Sequence, residues 1–345
     1  MSVRDRVGSV FKSKEDLDLT GGSIPRSLFF LSLPIIVTNM LQVGYNLADT
    51  FWLGRFSTDA LAAISLGFPL VYLFISLGLG LTVAGSVLVA QHTGAEQPGE
   101  AEYAASQTVV FTIAAGLVVG GVGFVFIDEL LRVFGAEPVV LTLATEYMRI
   151  ITAGLPFLFG FTVFVALMRG AGDTVTPMVV MLGTVVLNVA LDPVLIFGWG
   201  PFPRMGVEGA AVATVFSRGS AMVVGVWIML RGSHGIRINP REMRPDPAYI
   251  RRLLRIGAPA SLENTGRALS INAVLLIVTL FATPVVAGFG VGIRVFSMIF
   301  MPAIAIDRGV ETMTGQNIGA GKLDRVSETN RFAAKASFLI LAGLG

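Results

Sequence analysis

Apolar stretches of transmembrane length recur along the chain at 28–52, 60–90, 104–127, 139–168, 174–199, 206–230, 253–281 and 285–312. A helix needs about 20 mostly apolar residues to cross a bilayer, so each stretch predicts one crossing. A ninth begins near 332 and reaches Gly345 after about 14 residues, short of a full span. The first stretch is not a signal peptide. Some 26 residues of mixed charge precede it, and no small-residue cleavage site follows. Backbone groups in lipid must bond internally, and no alternating strand pattern appears, so the spans are helices. The expected fold class is an all-α polytopic membrane protein.

Composition sharpens this picture. Of 345 residues, 25 are Lys or Arg and 23 are Asp or Glu, or 14% charged, against about 25% in soluble domains. That excludes a cytosolic enzyme, a nucleic-acid binder and a disordered chain. Cysteine is absent, which removes disulfides, thiolate metal sites and cysteine nucleophiles. His92 and His234 are too few for a histidine metal cluster. Gly170-Ala171-Gly172-Asp173 is not followed by Lys-Ser/Thr, so there is no phosphate-cradling loop and no ATPase. The chain is expected to be no enzyme, to need no cofactor, and to draw any transport work from an ion gradient. Its 13 Met and 24 Phe suit adaptable apolar binding and equally suit helices that face lipid.

Basic residues set the expected orientation. They gather in the tail (Arg4, Arg6, Lys12, Lys14, Arg26), after the sixth span (Arg231, Arg237, Arg241, Arg244, Arg251, Arg252, Arg255) and after the eighth (Lys322, Arg325, Arg331, Lys335). All three segments fall on one side if the N-terminus is cytoplasmic, the arrangement expected of a plasma-membrane protein.

An internal repeat appears at an offset of 225 residues. Pro34 meets Pro259, Asn39 meets Asn264, Gly67 meets Gly292, Gln91 meets Gln316, and Gly94-Ala95 meets Gly319-Ala320. Both copies start on the same side, which gives parallel repeats, an architecture used by transporters. The expected organisation is a tail (1–26), a six-span N-lobe (27–231), an inter-lobe linker (232–250) and an incomplete C-lobe (251–345). About eight or nine of twelve spans would then be present.

Ionisable groups inside a membrane are costly and usually functional. Asp49 lies late in the first span and Asp192 late in the fifth. Tyr45 and Asp49, and likewise Asn188 and Asp192, stand four residues apart on one helix face. Two converging carboxylates can share a proton or hold Na⁺ with amide and hydroxyl oxygens. They can also be polar caps at helix ends. The repeat partner of Asp49 is Val274, which favours ion chemistry confined to the first lobe. Glu263 and Arg267, at i and i+4, read as a structural ion pair. The roles of Arg218, Arg294, Asp307, Arg308 and Glu311 stay open.

Several segments resemble the multidrug and toxic compound extrusion (MATE) transporters. They are Leu33-Pro34, Tyr45-Asn46-Leu47-Ala48-Asp49-Thr50, Asp59-Ala60-Leu61-Ala62-Ala63, Arg169-Gly170-Ala171-Gly172-Asp173-Thr174, Asn188 to Asp192-Pro193, Gly206 to Thr214, and Gly315 to Gly321. The resemblance is to the prokaryotic or archaeal type, with the C-terminal part missing, and covers 26–345. It implies two six-helix lobes around a central cavity and export of cationic, amphipathic drugs by alternating access, driven by H⁺ or Na⁺. It implies a cation site at Asp49, Asn188, Asp192 and Thr214, with Tyr45 beside it. Asn46, Pro34 and Gly44 become candidates for the substrate cavity or a helix hinge. The partners implied are small drugs and the lipid bilayer, with no nucleic acid, in a monomer. The alternatives are a lipid-linked oligosaccharide flippase, a non-transporting scaffold and an inactive truncated fragment.

Overall fold

The computed structural model describes residues 18–133, 137–278 and 283–344, with some side chains between 268 and 298 left out of the description. The tail charges Arg4, Arg6, Lys12 and Lys14 lie outside it. The described residues form ten α-helices and no strand. They are α1 (Ile24–Phe56), α2 (Thr58–Gly94), α3 (Pro98–Arg132), α4 (Pro138–Ala153), α5 (Leu155–Gly170), α6 (Val175–Phe197), α7 (Val207–Arg231), α8 (Pro247–Val278), α9 (Thr283–Gly319) and α10 (Leu323–Leu344). Among the described residues, α1, α2, α3, α6, α7 and the bent pair α4–α5 are long and apolar enough to cross a membrane. Helices α8 and α9 occupy the seventh and eighth apolar stretches.

The surface is what lipid demands. Phe29, Leu117, Val125, Phe126, Leu182 and Val186 point outward and exposed, while Gln107, Thr112, Asn188, Asp192 and Ser217 are buried. Apolar side chains face hydrocarbon and polar ones find their company inside.

The span read as continuous over 139–168 is in fact two helices bent by 53°. The break falls at Gly154-Leu155-Pro156. Pro156 has no N–H to give to the preceding turn. At Gly154, the Val215 side chain of α7 fills the space a Cβ would need, so the bend lets α7 press close to the backbone.

The sequence repeat is also a structural one. The 225-residue offset carries Thr58–Gly94 of α2 onto Thr283–Gly319 of α9, and the start of α3 at Pro98 onto the start of α10 at Leu323. The two copies meet where both chains pass the end of the bundle that carries the linker. Helix α2 packs along α8, α9 packs on α1, and α2 and α9 pack on each other. The crossing is reciprocal. A Cβ on Gly94 would strike the Gln316 carbonyl, and one on Gly319 would strike the Gln91 carbonyl. Gly94 and Gly319 are repeat partners, as are Gln91 and Gln316, so one contact is made twice about a pseudo-two-fold axis.

Higher along the same seam, Gly80 and Gly257 sit backbone to backbone. The Gly80 amide donates to Ser261 Oγ at 3.1 Å, and the Ser76 and Thr265 hydroxyls lie 3.2 Å apart. Charge joins in at the linker end: Glu311 of α9 pairs with Arg308 at 3.0 Å and approaches Arg169 of α5 at 3.9 Å. Thr312 donates its hydroxyl to the Arg169 carbonyl and the Gln316 amide donates to that of Gly170. Asp307 projects beside them, exposed.

The linker is docked rather than free. Ile236 and Ile238 are buried in a core shared with α2, α3, α5, α6 and α7. The Gln107 amide donates to the Glu242 and Arg244 carbonyls and its oxygen accepts from the Asp246 N–H, while the Tyr103 hydroxyl donates to Asp246 at 2.8 Å. The segment through Asp246 is thereby fastened to α3.

The seam predicts a cross-link. Because the chain has no cysteine, a Ser76→Cys, Thr265→Cys double variant should lose both free thiols under mild oxidation, and titration of unreacted thiol reads this. Two persistent free thiols would show that α2 and α8 do not meet there.

Candidate functional site

Three helices bring the polar groups of the first lobe together. Helix α6 packs on both α1 and α7. Each contributes pairs spaced by four residues, which stack one above the other along a helix face. Helix α1 supplies Tyr45 and Asp49, α6 supplies Asn188 and Asp192, and α7 supplies Thr214 and Arg218.

The site is dry. Asn188 and Asp192 are 0% exposed and Tyr45 is 2% exposed. Asn188 donates its amide to Asp192 Oδ1 at 3.2 Å, the i to i+4 bond their spacing allows. Asp49 lies within interaction range of Asp192, Asn188 and Thr214. Yet much of the site's hydrogen-bonding capacity is unused. Asp49 Oδ1, Asp192 Oδ2, Asn188 Oδ1, Thr214 Oγ1 and the Tyr45 hydroxyl are all enclosed and have no hydrogen-bond partner in the protein. Five unpartnered oxygens at one place are rare in a folded interior, where nearly all buried polar atoms are paired. All of them can accept, and hard monovalent or divalent cations take such oxygen ligands; a proton between the two carboxylates would serve the same deficit. Among the described residues no group of three or more His, Asp or Glu side chains gathers to hold a metal ion, so the site has only two carboxylates to offer.

Three further residues belong here. Tyr147 of α4 lies within electrostatic range of Asp49, Asp192 and Tyr45. Ser217 is fully buried with an unpartnered hydroxyl, three residues after Thr214 on the same helix. Arg218 lies one turn away, its guanidinium 4.7 Å from the Tyr45 ring centre and 5.1 Å from that of Phe161. It donates to Gln42 Oε1 of α1 and to Met181 Sδ of α6.

The other candidates sit apart from this cluster. Helix α1 runs without interruption through Pro34 and Gly44. A Cβ on Gly44 would meet open space, so packing does not demand glycine there. Asn46 is exposed and accepts from Gln42 Nε2 at 3.1 Å. Glu263 and Arg267 are paired at 3.2 Å with both side chains largely exposed. The Arg294 side chain lies outside the described residues.

The chain is similar to known proteins over most of its length. The MatE family profile matches residues 34–194 and 259–345. The probable multidrug resistance protein YoeA of Bacillus subtilis is 31% identical over 92% of this chain and 70% of its own length. A Shewanella oneidensis protein named FAD transporter is 30% identical over 91% of this chain and 70% of its own. Among solved structures, a MOP superfamily transporter from Pyrococcus furiosus superposes with a TM-score of 0.85 at 27% identity, covering 95% of this chain and 72% of that one.

The geometry predicts a cost for removing the one internal donor. Asn188→Leu leaves Asp192 without its amide, and a buried acceptor stripped of its partner costs about 1–3 kcal/mol. Thermal unfolding in detergent should show a lowered Tm, and a wild-type melting curve would show that the Asn188–Asp192 bond is not made.

Proposed function

The chain belongs to the MatE family, and on that premise we propose that it is a secondary-active exporter of small amphipathic molecules, driven by inward flow of H⁺ or Na⁺ through the Asp49–Asp192 site. The observation that carries this reading is the set of unpartnered oxygens around two carboxylates in a dry, intramembrane position. Such a set is unstable empty and complete when a cation arrives, so occupancy changes the energy of the helices that supply it.

The cycle then follows from charge. With the site empty, Asp49 and Asp192 repel across a low-dielectric gap. A cation from the far side of the membrane removes that repulsion and lets α1 close on α6. Pro34 interrupts the hydrogen-bond ladder of α1, and Gly44 offers no side-chain bulk against bending, so one of them would take up the movement. Closure of α1 shrinks the space within the first lobe and displaces substrate held there. Return requires the seam of α2, α8, α9 and α1 to part, and the docked linker then travels with the first lobe. The basic residues of the tail and linker support a cytoplasmic N-terminus, with this seam on the same side of the plasma membrane.

Substrate class rests on the surroundings of the same site. Tyr45, Phe161 and Met181 offer aromatic and polarisable faces, which suit a flat amphipathic molecule. The two carboxylates favour a positive charge on it, so that substrate and cation compete for one negative centre. The relative that bears the name of an FAD transporter makes the charge of the substrate a question for this chain's own residues.

Efflux from vesicles under an imposed pH or Na⁺ gradient tests the reading. Wild type should expel a fluorescent amphiphile only when the gradient is present, and Asp49→Asn and Asp192→Asn should each reduce that efflux at least tenfold while inserting normally. Gradient-driven efflux retained by both variants would sink the assignment.

A further inference from the structure

Arg218 is the intramembrane charge that the oxygen cluster leaves unexplained. It stands near the middle of α7, on the face of Thr214 and one turn from it. Among the described residues no carboxylate comes within salt-bridge distance of its guanidinium, which is instead held back by two aromatic rings, Gln42 and Met181. An arginine within a membrane span without an ion-pair partner is expensive, and its strong preference for carboxylates makes the distance telling. Its field nevertheless reaches Asp49; the guanidinium lies against the ring of Tyr45, which is itself one turn from Asp49.

We infer that Arg218 is a built-in counter-charge of the cation site, withheld from direct contact by the Tyr45–Phe161 clamp so that it lowers the site's negative charge without filling its ligand positions. This rests on the proposed cation-coupled reading of Asp49 and Asp192. The groups facing the centre are Asp49 and Tyr45 from α1, Tyr147 from α4, Asp192 from α6 and Arg218 from α7. With both carboxylates ionised and both tyrosines neutral, the net charge is one negative. A single monovalent cation therefore balances the site, and binding is kept weak enough for the ion to leave again. Without Arg218, two negative charges would remain, and one cation would be held too tightly and leave the centre unbalanced.

The clamp also explains why the arginine does not collapse onto the aspartates. Stacking against Tyr45 and Phe161 supplies attraction in place of a carboxylate, and the Gln42 oxygen draws the guanidinium toward the far side of the ring. Gln42 thus positions Arg218, and Arg218 tunes the site.

The test uses the full chain in lipid nanodiscs, titrated with Na⁺ at fixed pH and then with protons, read by intrinsic tryptophan fluorescence. Trp52 lies three residues after Asp49 and packs against Trp199, which makes it a local reporter. Arg218→Met should move the cation midpoint at least tenfold toward tighter binding, and Arg218→Lys should stay near wild type. Gln42→Glu, which keeps the arginine but pairs its charge, should tighten binding in the same direction and guards against misfolding of the methionine variant. Unchanged midpoints in Arg218→Met and Gln42→Glu would overturn the inference, as would a change confined to substrate binding. Asp49→Asn separates the two readings. If it titrates like wild type, the cation site itself has failed; if it alone loses the response, only the role of Arg218 falls.

Discussion

A buried polar oxygen must have a partner, and lipid supplies none. The first lobe is organised around that constraint. Its outer faces carry Phe, Leu and Val, and its interior holds Asp49, Asn188, Asp192, Thr214 and Tyr45 with one internal hydrogen bond among them. Apolar packing of the spans, locked by small residues at their crossings, tolerates a centre whose polar atoms are largely unpartnered. The deficit is what the proposed cation would relieve.

That deficit matters only if it is connected to motion. The connection is the repeat. Copies of one helix pair meet in reciprocal contacts, Gly94 with Gln316 and Gly319 with Gln91, so the linker end of the bundle is sealed by backbone against backbone. Helix α1 belongs to both systems. It carries Asp49 to the site and packs on α9 at the seam. In the proposed cycle, a change in α1 driven by charge would reach the seam through this contact.

Much of this was legible in the sequence. Span length gave the helices, and the 225-residue offset anticipated α9, whose bounds are those of α2 displaced by the repeat. The spacing of Tyr45 and Asp49, and of Asn188 and Asp192, puts each pair on one helix face. Other features depend on contacts between distant segments. The bend at Gly154 reads as ordinary apolar sequence until Val215 is seen against it. Tyr147 carries no local signal of its place beside Asp49. The linker looked like a polar tether because Gln107, which fastens it, is 135 residues away in sequence from Glu242. Arg218 was visible as an intramembrane charge, but its clamp is made by Gln42, Tyr45, Phe161 and Met181 from three other helices, and only the fold assembles it.

The central claim is that a cation, Na⁺ or H⁺, sits between Asp49 and Asp192. Infrared difference spectroscopy on the purified chain in lipid observes those carboxyl groups directly. Adding the coupling cation should produce a carboxylate or protonated-carboxyl band that titrates with occupancy and disappears in both Asp49→Asn and Asp192→Asn. A cation-induced spectrum without such a band, or one that persists unchanged in both variants, would contradict the account.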